Sequence, residues 1–134
     1  MTRADLIAAV LTKLGTLTLT GSPTVEEVTE DDYENNEGAT FPHVGILLVK
    51  GGAGPLQEVG GPITYASTRS IDLYVSVDKH SDGVAILDEL EAGLAGFCPD
   101  GQFPLEWANE EIVTASLGRF KWAQGWEHIV TLSR

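Results

Sequence analysis

Between Ile63 and Asp78 the chain alternates, with Ile71, Leu73, Val75 and Val77 interleaved with Asp72, Tyr74, Ser76 and Asp78. A period of two sends the first set to one side of a pleated strand and the second to the other. The strand therefore belongs to a sheet with one apolar and one wet face, and the apolar face must be covered. Two segments have the pattern to cover it. In residues 2–14, Leu6, Ile7, Val10, Leu11 and Leu14 recur with the period of a helix. Thr2 suits the N-cap, Asp5 places a negative charge in the first turn, and Gly15 supplies the stop. A second helix starts from Ser81 or Asp82, with Ile86, Leu87, Leu90, Leu94 and Phe97 on one stripe and Gly96 and Pro99 at its end.

The remaining strands are read around this frame. Phe41 to Lys50 is a strand with Pro42 at its beginning, where a missing amide hydrogen does least harm. Ile112–Leu117 and Phe120–Leu132 are two more, joined by a turn near Gly118-Arg119. Thr16–Thr20 is a short strand or an extended lead-in, and Val25–Val28 another short strand. The run GGAGPLQEVGGP at 51–62 is expected to be a glycine-rich connection closing a large hairpin, and residues 98–110 an irregular one. The sum is an α+β fold: a mostly antiparallel sheet of about four to five strands with two helices packed on one face. At 134 residues the chain is expected to form one domain, 1–134. Folding at this length buries roughly 68–70% of the unfolded surface, enough for a core without disulfide or metal.

Charge narrows the function. Eight Lys and Arg oppose twenty Asp and Glu, a formal charge of −12. A nucleic-acid binder needs clustered basic residues, and an anionic membrane surface would repel this chain. No apolar run approaches the roughly 18 residues of a membrane span. The N-terminal apolar stretch is interrupted by Asp5 and Lys13, so it reads as a helix in a cytoplasmic product and not as a signal peptide. The one cysteine, Cys98, cannot close an intrachain disulfide, and its place after a helix C-terminus is the wrong end for activating a thiol.

Catalytic patterns fail in turn. His43, His80 and His128 have no metal-ligand spacing among themselves or with Cys98. Asp78-Lys79-His80-Ser81 contains triad residue types, but adjacency is not triad geometry. The glycines at 51–54 and 60–61 lack the GK[ST] and the following helix of a phosphate loop. No enzyme is expected, and neither metal nor cofactor.

Seven acidic residues and no basic one occupy 26–37: Glu26, Glu27, Glu30, Asp31, Asp32, Glu34 and Glu37. With Asn35, Asn36 and Gly38 this reads as a solvated loop. Trp122 and Trp126, four apart on one strand, share a face, where large aromatics serve an interface or a core equally well.

The pattern as a whole resembles the tail terminator proteins of long-tailed bacteriophages, the group typified by the terminator of phage lambda. The N-terminal helix RADLIAAVLTKL precedes the acidic stretch, followed by Phe41-Pro42-His43-Val44-Gly45-Ile46-Leu47-Leu48, similar to the family's FP-x-V-x-V strand. The strand Ser70 to Val77 leads into the helix around Ala85–Glu91, and a strand ending Trp126 to Leu132 closes the chain, as in that family. The insert GGAGPLQEVGGP departs from it.

The resemblance implies a structural virion protein at the head-proximal end of the tail: a homo-oligomeric ring, commonly a hexamer, assembled in the host cytoplasm. It implies that the ring caps the tail tube, ends tail growth and offers the surface to which neck and head proteins join. DNA then passes through the channel without specific binding, and the acidic loop Glu26–Glu37 is the candidate channel lining. A cyclic ring needs two different patches per subunit. The scarce basic residues Arg69, Arg119 and Lys121, with Trp122, are the candidate subunit interface. The alternatives are a neck or tail-completion protein of the same fold, which joins heads without setting tail length, and a small binding module outside any virion.

Overall fold

The computed structural model describes residues 2–29, 41–57, 64–116 and 118–133. The elements run α1 (Arg3–Leu14), β1 (Thr24–Glu27), β2 (His43–Gln57), β3 (Thr64–Val77), α2 (His80–Leu94), β4 (Leu105–Ser116) and β5 (Arg119–Ser133). The five strands form one sheet in the order β1-β2-β3-β5-β4. β1 and β2 pair in parallel, and every other neighbour is antiparallel. The architecture is the α+β sheet with two helices read from the sequence.

Register explains which side the helices take. Val44, Ile46 and Leu48 of β2 lie opposite Val75, Leu73 and Ile71 of β3, and these lie opposite Trp122, Gln124 and Trp126 of β5. This side packs against Leu6, Ile7, Val10 and Leu14 of α1 and Ile86, Leu87, Leu90 and Leu94 of α2 in a single core. A smaller cluster of Val28, Tyr74 and Ala123, with Leu47 against it, lies on the other side.

α1 begins with the expected cap made reciprocal: the Asp5 amide donates to Thr2 Oγ1 at 3.1 Å, and the Thr2 amide donates to the Asp5 carboxylate at 3.0 Å. These bonds, led by the backbone bond to Thr2, hold the Asp5 carboxyl below its ordinary range. α2 starts earlier than expected. Lys79 is its N-cap without a side-chain bond, and Ser81 and Asp82 lie inside the first turn. Asp82 there still favours the helix dipole.

Three connections differ from the sequence reading. Residues 16–20 are a turn, closed by the Thr16 amide on the Lys13 carbonyl and the Leu17 amide on the Leu14 carbonyl. The glycine-rich run is strand as far as Gln57, because ladder bonds need backbone and not side chains. Its irregularities, between Leu48 and Lys50 and between Ala53 and Leu56, absorb Val49 and the Gly54-Pro55 pair as bulges. Finally, β4 begins at Leu105 and not at Ile112, its first amide donating to the Phe97 carbonyl at 2.8 Å. An edge strand solvated on both faces leaves no alternation to detect.

Gly83 allows α2 to sit directly on Trp122. A Cβ there would collide with the indole, with Cη2 only 2.6 Å away. Gly83→Ala gains roughly 1 kcal/mol of helix propensity but overpacks the core at roughly 1–3 kcal/mol. The variant is expected to be net destabilised by about 1 kcal/mol in urea unfolding; a more stable variant would mean that Trp122 has room to move.

Candidate functional site

The side of the sheet away from the helices is built from the alternate residues of the same strands. Glu26 of β1, His43 of β2, Asp72 and Tyr74 of β3, Lys121 and Glu127 of β5, and Glu106 and Glu111 of β4 all point there by register. Carboxylates crowd it. Glu106 lies directly opposite Glu127 across the β4–β5 ladder, an arrangement of like charges that costs stability. Asp72 and Asn109 flank Gly125, where a Cβ would meet the Asn109 carboxamide and stand 3.3 Å from Asp72 Oδ1.

Burial pushes the Asp72 carboxyl above its ordinary value, the nearby Glu111 raises it further, and the Tyr74 hydroxyl, donating at 3.1 Å, acts in the opposite direction. Lys121 is half-buried on the same face, and burial lowers its pKa. Glu26 Oε1 stands 2.8 Å from His43 Nε2, tying β1 to β2.

Of the acidic residues proposed to line a channel, Glu26 falls on this open face, whereas Glu27 lies opposite Ile46 and so points to the helix side. Glu30, Asp31, Asp32, Glu34 and Glu37 lie outside the described residues. Of the proposed interface residues, Arg119 is exposed and Arg69 and Lys121 are half-buried. Trp122 is 7% exposed and belongs to the core, its ring stacked on Phe120 and met edge-on by His80. It offers a neighbouring molecule little surface.

The other titratable groups take structural places. His128 is fully buried, with Asp100 Oδ2 at 3.5 Å from Nε2 and no hydrogen-bond partner for either ring nitrogen among the described residues. Asp100 accepts the amides of Gln102 and Phe103. Burial raises its pKa, but these bonds and the nearby His128 outweigh it and hold the carboxyl below its usual range. Among the described residues no three His, Cys, Asp or Glu side chains come together as a metal site. Surface depressions beside α1, one lined by Leu14, Leu17 and Leu19 and the other by Ala8, Ala9 and Phe97, gather no histidine, cysteine or carboxylate.

The sequence reading missed the outer edge of β4. From Glu106 to Ala115 every residue is exposed. Trp107, Ile112 and Val113 are 49%, 51% and 40% exposed, although long edge strands are normally shielded from such apolar groups. The only available signal was local: β-branched Ile112-Val113-Thr114 and an aromatic at 107, dispersed among glutamates.

The chain matches no protein-family model and no curated protein. No helix among the described residues is long and apolar enough to cross a membrane.

The raised Asp72 pKa sets a pH dependence. The folded state binds this proton more tightly than the unfolded state, so ionisation costs stability as pH rises through the folded value. Asp72→Asn is therefore expected to raise the Tm at pH 7. Its advantage should shrink as pH falls through the carboxylate range and vanish below about 3.9, the ordinary aspartate value. A pH-independent difference between the two melting curves would contradict this.

Proposed function

We propose that the chain is a phage tail terminator: a ring-forming structural protein that caps the tail tube, stops its growth and presents a surface for head joining. The observation that carries this reading is the acidic face of the sheet. Asp72, Glu106, Glu111 and Glu127 come from three adjacent strands, and Glu26 extends the group onto β1. A channel that lets DNA pass without holding it needs a predominantly acidic wall, because carboxylates repel phosphates. The overall charge of −12 and the resemblance in strand and helix order fit the same role.

Capping follows from occupancy. A ring seated on the last tube ring covers the surface where the next tube subunit would add, and its opposite rim becomes the attachment point for the neck. No chemical step is required, in keeping with the structural places of His43, His80 and His128.

Electron microscopy of lysates from a phage lacking this gene tests the role. Overlong, headless tails are the expected outcome. Tails of normal length beside filled, unjoined heads would assign the protein to the neck, and intact virions would exclude both roles. The channel assignment has a separate test. Lysines in place of Glu106, Glu111 and Glu127 should leave tail length unchanged but impair DNA ejection, measured as dye-accessible DNA released on receptor addition. Normal ejection would remove this face from the channel.

A further inference from the structure

We infer that the ring closes by strand addition, the outer edge of β4 in one copy pairing antiparallel with the outer edge of β2, near Lys50–Gln57, in the next. This rests on the ring reading above and names its two unlike surfaces.

Among the described residues β4 ends the sheet, with no strand along its outer edge, and exposes apolar side chains there. At the other side, β1 pairs only with His43 to Ile46, so among the described residues no strand pairs with the outer edge of the second half of β2. Among the described residues each copy thus carries two edges without a paired strand, and they differ in charge. β4 includes Glu106, Glu110 and Glu111, whereas β2 contains no acidic residue and includes Lys50. A two-fold pairing of β4 with itself centred on this segment would bring Glu110 or Glu111 against its own copy, which is unfavourable. Pairing β4 with β2 avoids this and is heterologous, the type of contact that generates rings. Pro55 lies in β2, and an edge strand is where proline is tolerated.

Direction and register agree. β2 and β5 run the same way and β4 runs against them, so β4 meets the β2 of a like-oriented copy antiparallel. The bulges at Ala108 and Val113 leave Asn109 to Ile112 as the regular part of β4, centred near Glu110. Within one chain Glu110 is level with Ile46, through Gln124 and Leu73. Placing it instead against Ala53 of the next copy, which pairs with Ser67 and so holds a helix-side register position as Glu110 does, staggers neighbours by about six residues counted along β3, or ~20 Å. Over the four strands from β2 to β4, spaced ~4.8 Å apart, this stagger tilts them by about 45° to the ring axis, at the upper end of the tilt of closed barrels. The acidic face and the helices then lie on opposite surfaces of a continuous wall.

Cysteine pairs test the register. In a Cys98→Ser background, Glu110→Cys with Ala53→Cys places two Cα atoms about 4.5–5.5 Å apart across the junction, within disulfide range. Under mild oxidation the double variant should give a ladder of covalent multimers, and each single variant none. A covalent dimer from Glu110→Cys alone would show two-fold pairing and overturn the proposal. So would assembled rings that fail to cross-link with this pair and with the adjacent pairs Glu111→Cys with Gly52→Cys and Ile112→Cys with Gly51→Cys. Independently, Ile112→Lys with Val113→Lys should retain the far-UV circular dichroism of the parent but sediment as monomer, since both positions are exposed. Retained rings would overturn the edge assignment while leaving the ring reading intact. A parent protein that stays monomeric at every concentration, alone and with tail tubes, would overturn the ring reading itself.

Discussion

The apolar stripe of β3 is the constraint from which the other arrangements follow. Ile71, Leu73, Val75 and Val77 are fully buried, in a strand hydrogen-bonded along both sides to β2 and β5. Both helices face the sheet side to which this stripe belongs, because only there can their own stripes escape water. With the helices committed to one side, the other receives Asp72, Tyr74, Glu106 and Glu111 of β4 and Glu127 of β5. Among the described residues the sheet ends in strand edges at β1 and β4. The exposed acidic face and the open β4 edge are thus consequences of where the core lies.

A buried polar relay joins this core to the edge. Trp126 Nε1 donates to Gln124 Oε1 at 2.8 Å, and Gln124 Nε2 donates to the Leu87 carbonyl of α2 and to Glu110 Oε1 of β4. Gln124 is fully buried, and its amide nitrogen satisfies two acceptors while its oxygen accepts the indole. Such a network fixes geometry more tightly than apolar contact does, because misplacement leaves a buried polar group unsatisfied. It holds Glu110 in the middle of an otherwise solvated strand. The middle of β4 is therefore anchored to α2 through the two bonds of Gln124.

The parts of the fold legible in sequence were those with a burial period. The stripe of β3, the stripes of both helices and the Thr2/Asp5 cap are local patterns with one structural solution. The glycine-rich half of β2 and the first half of β4 were not legible, because pairing through the backbone leaves no side-chain alternation. Trp122 was ambiguous for a different reason: an indole is equally at home in a core or an interface, and only the absence of a Cβ at Gly83 settles that α2 covers it. Of the acidic loop, the sequence carried the residue types, but pairing decides direction, and adjacent Glu26 and Glu27 face opposite ways. The face formed by Asp72, Glu106, Glu111 and Glu127 was invisible because its members are far apart in the chain.

That face also shows a conflict between stability and charge. Glu106 and Glu127 oppose one another directly, and burial and Glu111 both disfavour the charged form of Asp72. Threonine or valine at these positions would suit a β-sheet better and relieve the repulsion. Local rules broken without a local compensation mark sites where another demand prevails. Solubility alone does not require it, since carboxylates on the helices or loops would serve equally well without cross-strand repulsion. The channel role proposed above would require it, because at physiological ionic strength screening limits each charge to about 8 Å. Only a dense, aligned group of carboxylates keeps phosphates away at that range, and a flat sheet with residues alternating to one side provides one.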